Sequence, residues 1–353
     1  MAMRPSATRE RADTRQRMRE LSVRSDRKGL VQLGAHAGAL LVSGTAVVQA
    51  IGTLWLLPAM LGQGILLVFL FAPLHEASHR TAFRTRWLND AAAWACGALL
   101  VLPPAYFRAF HFTHHRFTQD PERDPELARP KPASIGGYVL HVSGLPYWSE
   151  RIATTCRHAL GLVREGFINP RQTGGIVREA RVLSAGYVAV AAISLALGSP
   201  AALILWLGPA LLGQPFLRLY LLAEHTGCPL VANMLENSRT TISTALVRGL
   251  AWNRPYHAEH HAHPHFRSTP CRRRTPSSSA RSPCRREATS RSTANSCRAS
   301  VAEKVATLMV SMAADPGHRA HVPTGWCPGS LRRPKRPLRL PLMVGSRRQV
   351  CYC

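Results

Sequence analysis

The chain has 353 residues, with 45 Lys and Arg against 19 Asp and Glu, for a formal net charge of +26 at pH 7. That length allows two soluble domains, but the apolar residues stand in long blocks, which excludes an ordinary soluble core. Nine cysteines include no CxxC pair, so a paired-thiol metal knuckle is excluded, and a disulfide scaffold does not suit a reducing compartment.

Residues 1–29 form a basic N-terminal segment; residues 1–30 hold nine Arg or Lys against four acids. The first apolar block runs from Leu30 to Leu74 and is broken only by Gly, Pro, Ser, Thr, Gln and His36. A helix crosses a bilayer in about 20 residues, so this block predicts a hairpin, with crossings at about 30–50 and 53–74. His36 is expected to be neutral and packed against a second helix. The apolar stretch is too long for a secretory leader, so an uncleaved anchor is expected. A shorter run, Ala91 to Tyr106 with Pro103 and Pro104, predicts an interfacial or re-entrant helix. In the segment that follows, His141 and His158 are expected to be solvated. The second block, Val182 to Ala223, carries one charge, Arg218, and predicts crossings at about 182–198 and 201–223. The alternative, buried helices in a soluble protein, does not suit so long a run without charge. Both hairpin turns are uncharged while the flanking segments are Arg-rich, so both termini and the central segment are expected on the cytoplasmic side.

Eight histidines fall in three tight clusters: His75 and His79; His111, His114 and His115; and His257, His260 and His261. Spacings of three and four residues put side chains on one helical face, so each cluster aims imidazoles at one region. Adjacent histidines such as His114 and His115 diverge by about 100° and reach two neighbouring points. Neutral imidazole suits zinc, copper, nickel and iron, and so many nitrogens exceed the need of one tetrahedral ion, so two metals are expected. The alternative is a chance gathering of histidines in solvated loops.

HEASHRTAF, HHRFTQDPERDPEL, AEHTGC, NSRTT and WNRPYHAEHHAHP resemble segments of the integral-membrane fatty acid desaturases, across much of residues 75–265. The resemblance implies two non-haem iron ions with O2 as oxidant, an acyl-chain lipid substrate, and an electron donor such as ferredoxin or a cytochrome b5-type protein. It also suggests His225 as a ninth ligand. Glu76, Asp120, Asp124 and Glu259 are candidates to hold the outer imidazole nitrogens, with ordinary turn acids as the alternative for Asp120 and Asp124. Asn237, Arg239, Thr240 and Thr241 resemble a family motif of no derived role. Related readings are a carotenoid ketolase or hydroxylase and a fatty acid hydroxylase; the non-enzyme reading is a membrane metal-binding or transport protein.

The expected fold is all-α: four transmembrane helices in two hairpins within a membrane domain, residues 30–266, under a cytoplasmic histidine-rich helical cap. The chain is expected to be a multi-pass protein of the bacterial inner membrane that binds lipid and no nucleic acid. After Phe266 the composition changes. Residues 267–353 hold 18 of the 45 basic residues, three of the 19 acids and six of the nine cysteines. This basic tail is expected to be disordered and translated out of frame, with loss of the segment that packs over the site and impaired activity.

Overall fold

The computed structural model describes residues 23–129, 131–241 and 243–265. The basic N-terminal segment up to residue 22 and the tail expected to be out of frame lie outside the described residues. The described chain is all-helical and without strands; its one β contact is an isolated antiparallel bridge between Thr240 and Tyr256.

Helix α1 (Asp26–Gln49) starts at Ser25, whose hydroxyl accepts from the amide of Lys28. A turn over residues 50–55 leads to α2 (Leu56–Val68), which continues through a short break at Phe69 and Leu70 into α3 (Phe71–Ser78). His36 of α1 is buried and donates from Nε2 to the carbonyl of Leu66 at 2.9 Å, which joins the two arms of the first hairpin. Asp26 accepts from the amide and hydroxyl of Thr85 at 2.9 and 2.8 Å, tying the start of α1 to the loop after α3.

The run around Ala91–Tyr106 becomes α4 (Arg86–Leu99) and α5 (Pro104–Phe117), and the chain turns between them by 101°. Pro103 and Pro104 account for the break, because proline lacks the amide that continues a helix and is favoured in its first turn. Two short helices follow, α6 (Ile135–Ser143) and α7 (Leu145–Ala159), hinged at Gly144 with φ 76°. His158 on α7, expected to be solvated, is instead fully buried, with Nε2 2.9 Å from Glu165 and its ring 5.2 Å from that of Tyr106.

Helix α8 (Pro170–Ala196) begins well before Val182, the start of its apolar stretch. The Asn169–Gln172 capping box, with Pro170 in the first turn, sets that start, and the apolar pattern marks only the later turns. After a turn, residues 201–225 are helical throughout: a π-helical segment, Leu203–Leu207, runs into α9 (Gly208–His225). Gln63 of α2 donates to the carbonyl of Leu205 in the π segment at 3.4 Å. Helices α2 and α9 are in backbone contact where glycines face each other: a Cβ on Gly213 would lie 2.2 Å from the carbonyl of Gly64. Two short helices close the described chain, α10 (Ala245–Leu250) and α11 (His257–Ala262).

Among the described residues, Asp26–Gln49, Leu56–Ser78 and Pro170–Ala196 are long and apolar enough to cross a membrane, and the α4–α5 pair, bent by 101°, passes the same test only as a broken span or a re-entrant loop; the stretch 201–225, split by its π segment, is not among them. Their outward faces are apolar and exposed, as at Leu41, Val42, Val188 and Ile193, as expected of helices that face lipid. The buried core gathers Leu67 of α2, Leu74 of α3, Phe83 of the loop that follows, Tyr106 and Phe107 of α5, and Trp252 of the turn before α11.

Candidate metal centre

Four helix ends deliver the histidines. His75 lies in the last turn of α3 with His79 as its C-cap, and His111, His114 and His115 occupy the final turns of α5. His225 ends α9, and His257, His260 and His261 lie on α11. Strained backbone flanks these ends. Arg80 after His79, Gln119 after the α5 cluster, and Trp252 and Asn253 before α11 all have φ between 51° and 63°, uncommon for residues with a Cβ.

All nine histidines expected as ligands converge, and they divide into two groups. His75, His79, His111, His115 and His260 form one; His114, His225, His257 and His261 form the other. Within each group the candidate ligand atoms lie within 4.8 Å of one another. The neighbours His114 and His115 fall in different groups, and so do His260 and His261, as their divergence on a helix requires. The groups adjoin: the rings of His115 and His261 stack at 4.1 Å between centroids.

The ring nitrogens face inward. In the first group Nε2 of His111 lies 2.8 Å from Nε2 of His79 and 3.0 Å from that of His115, which in turn lies 3.2 Å from that of His260. In the second group, Nε2 of His225 and His257 are 2.9 Å apart. A neutral imidazole has one N–H and one lone pair, so converging rings cannot all satisfy one another. Both ring nitrogens of His75 and Nε2 of His261 are buried with no hydrogen-bond partner among the described residues. Burial holds His79 down to about 3 and pushes His257, His260 and His261 well below the usual imidazole range. These four rings are therefore neutral at physiological pH, the form that ligates a metal, whereas His114, although buried, is raised by the neighbouring carboxylates of Glu126 and Asp124. Inward-facing neutral nitrogens about 3 Å apart fit neighbouring positions around ions bound at about 2.1 Å.

Three of the four outer nitrogens of the second group are hydrogen-bonded, and the fourth, Nδ1 of His257, has only the nearby Glu224 carboxylate. Asp124 accepts from Nδ1 of His114 at 2.9 Å, and the backbone carbonyl of Asn237 accepts from Nδ1 of His225 at 3.0 Å. Nδ1 of His261 meets the hydroxyl of Thr118 at 3.1 Å, and Nδ1 of His257 stands 3.5 Å from Glu224. In the first group, by contrast, Nδ1 of His75, His115 and His260 have no hydrogen-bond partner among the described residues.

The four acids proposed to hold imidazoles separate. Asp124 does so directly. Glu76 accepts from the hydroxyl of Thr81 at 2.8 Å, and Glu259 accepts from that of Thr240. Asp120 departs from the expectation: its carboxylate takes the guanidinium of Arg123 and the amides of Glu122 and Arg123, closing a turn through Pro121.

Four contributors went unassigned from sequence. Glu224 and Arg254 form a buried pair, Nη2 of Arg254 donating to both carboxylate oxygens at 2.7 and 2.8 Å. Thr118 positions His261, and Glu126 lies 3.5 Å from Nε2 of His114. Glu224 directly precedes His225, and Arg254 lies in the same stretch as the third cluster, so proximity was the available signal. The NSRTT stretch now has contacts. Asn237 donates to the carbonyls of Thr118 and Val231, the amide of Arg239 donates to the carbonyl of Glu224, and Thr240 holds Glu259. It is a strap that binds the end of α9 to α5 and α11.

Residues 50–276 match the fatty acid desaturase family. A segment of 180 residues is 27% identical to the sn-1 oleoyl-lipid 12-desaturase of Picosynechococcus sp., covering 48% of this chain and 51% of that protein. The chain thus spans about half the length of this curated relative. With a family match over well more than half of its residues, including all nine clustered histidines, the chain belongs to the fatty acid desaturase family.

Proposed function

We propose that the protein is a membrane desaturase that introduces a C=C bond into a fatty acyl chain carried on a lipid or thioester. The observation that carries this reading is the division of nine imidazoles into two adjoining groups at the ends of apolar helices. Iron suits a site of neutral nitrogens, and the family membership favours a pair of iron ions held by His75, His79, His111, His115 and His260, and by His114, His225, His257 and His261. The chemistry supplied by two bound iron ions is removal of two hydrogens from an unactivated C–C pair, O2 being reduced to two waters with two electrons and two protons.

The chain's own residues supply the setting. Phe71, Phe107 and Trp252 wall the site on its apolar side and keep bulk water from the reacting carbons. Asp124, Thr118 and the Asn237 carbonyl fix ring orientations, so the ligating nitrogens are held in place before any substrate arrives. The crossings at about 30–50, 53–74, 182–198 and 201–223 leave both termini and the histidine face in the cytoplasm of a bacterial cell, at its inner membrane. There a ferredoxin or cytochrome b5-type donor reaches the site, drawn by the basic flanking segments. The tail after Phe266 reads as an out-of-frame product, so its replacement by the in-frame continuation raises activity.

The test is expression of the chain, with and without the restored frame, followed by mass spectrometry of acyl methyl esters. A new double bond is expected, and it disappears in His114→Ala and His261→Ala at matched expression. Hydroxyl or keto products would overturn the reading, as would purified protein that holds one zinc and no iron.

A further inference from the structure

We infer that the seam between α7 and α9 binds the phosphate of an acyl carrier, with Arg218 as its cation. The inference rests on the proposed function only in taking an acyl substrate to bind beside the metal centre, and it names the carrier's head group.

Arg218 is the one charge of the second apolar block. It stands seven residues before His225 on α9, so both side chains leave one face of the helix, with about 10 Å of rise between them. Gln214 lies one turn further from the metal centre. The start of α7 packs against this face. The guanidinium of Arg218 lies over the Tyr147 ring, 4.2 Å from its centroid, and the rings of Tyr147 and Trp148 meet edge to face at 5.6 Å. Trp148 packs with Ala210, and the Gln214 side chain lies against Gly144, where a Cβ would come within 2.3 Å of it.

The seam carries donors without acceptors. Nε of Arg218, Nε2 of Gln214 and Nε1 of Trp148 are buried and have no hydrogen-bond partner among the described residues. Gln214 is 1% exposed and Trp148 8%, so bulk water does not serve them. The nearby acids are engaged elsewhere: Glu224 of α9 by Arg254, and Glu150 of α7 by Arg129 and Arg151. A cation and two further N–H groups without a counter-ion require an anionic acceptor, and the planar guanidinium fork suits phosphate. Arg218 keeps a partly exposed edge through which such a group arrives. Leu140 of α6 and Leu145 and Ile152 of α7 are exposed, as in helices that lie at the level of lipid head groups. Phospholipids and acyl thioesters of coenzyme A both carry the phosphate.

The test is binding to the full-length protein as purified in detergent, with no electron donor present and hence no turnover. Native mass spectrometry ranks dioleoyl phosphatidylglycerol, oleoyl-coenzyme A and a phosphate-free dioleoyl galactolipid. Wild type and Arg171→Gln, an exposed arginine at the start of α8, are expected to bind one phosphate carrier about 10–100-fold more tightly than the galactolipid. Arg218→Gln should bring that carrier down to the galactolipid level, with partial recovery in Arg218→Lys and a smaller loss in Trp148→Phe. Whichever carrier depends on Arg218 tells a lipid head group from a thioester. Gel filtration and melting temperature check folding. Hydrogen exchange of wild type, which needs no variant to fold, should slow at residues 144–148 with the phosphate carrier and not with the galactolipid. Wild type that binds all three alike, folded Arg218→Gln that binds the phosphate carriers as wild type does, or exchange at the seam indifferent to phosphate overturns the inference. Hydroxylated products from a protein that passes these tests overturn desaturation and leave the phosphate site standing.

Discussion

The carboxylate of Asp124 accepts from Nδ1 of His114 through both oxygens, at 2.9 and 3.1 Å, and takes the amide of Gln119 at 2.8 Å. Gln119 has a left-handed backbone, φ 62°, at the exit from α5. One buried carboxylate thus fixes the tautomer of a metal-facing ring and the strained turn that ends its helix. Replacing Asp124 with Asn puts a donor where acceptors are needed. It should weaken metal binding at the four-histidine group by about 10–100-fold. Competition with a chromophoric chelator measures this, and binding within a factor of two of wild type would contradict the role given to Asp124.

Gly64 and Gly213 mark where α2 and α9 touch backbone to backbone. A Cβ on Gly64 would lie 2.0 Å from the carbonyl of Pro209, whereas one on Gly62 would meet nothing within 4 Å. Gly64→Ala must therefore push the helices apart, with an overpacking cost of about 1–3 kcal/mol or more. Gly62→Ala, on the same helix, removes only the conformational freedom of glycine and should be neutral to stabilising by up to about 1 kcal/mol. Melting temperatures in detergent separate the two, and equal effects would mean that α2 and α9 do not pack as described.

The three histidine clusters were legible from sequence because helical spacing is a local property, whereas His225 was suggested only by the family resemblance. Three and four residues between histidines define a face, and the divergence of His114 from His115 already called for two points of convergence. Of the anchors only Asp124 was named from sequence, being close to the second cluster; the others were not legible, since each joins residues brought together only by the fold. His261 meets Thr118 across 143 positions, and Asn237 reaches the carbonyl of Thr118 across 119. Asp120 misled for a related reason. Asp120 and Asp124 both precede a proline, and only the turn geometry shows that Asp120 curls back onto Arg123 while Asp124 reaches inward. The start of α8 was hidden because a capping box and polar first turns precede its apolar run.

Metal removal should loosen the end of the fold where α3, α5, α9 and α11 meet. Burial disfavours protonation of these rings, so without an ion their inward nitrogens are left without partners. A ligand bound only by the folded state stabilises it by about 2.7 kcal/mol at a free concentration 100 times its dissociation constant. Chelation should therefore lower the melting temperature and raise hydrogen exchange in α11 and in the strap around Asn237, while α1 changes little. Exchange that rises uniformly along the chain would argue against a metal effect localised to the clusters.

The Glu224–Arg254 pair offers a separate test of how the third cluster is held. Arg254 is buried over the ring of Phe71, its guanidinium carbon 4.9 Å from the centroid, and Glu224 stands 3.5 Å from Nδ1 of His257. The pair ties the end of α9 to the turn before α11, and neither charge has room to reach bulk water. Removing one partner leaves the other charge buried without compensation, at a cost of about 3–5 kcal/mol, whereas removing both leaves no such orphan. Glu224→Gln and Arg254→Met should each destabilise strongly, and the double variant should lose clearly less than the sum of the two. Denaturant unfolding in mixed micelles supplies the cycle. Additive losses would mean that the two residues act independently, and would leave His257 oriented by Glu224 without help from Arg254.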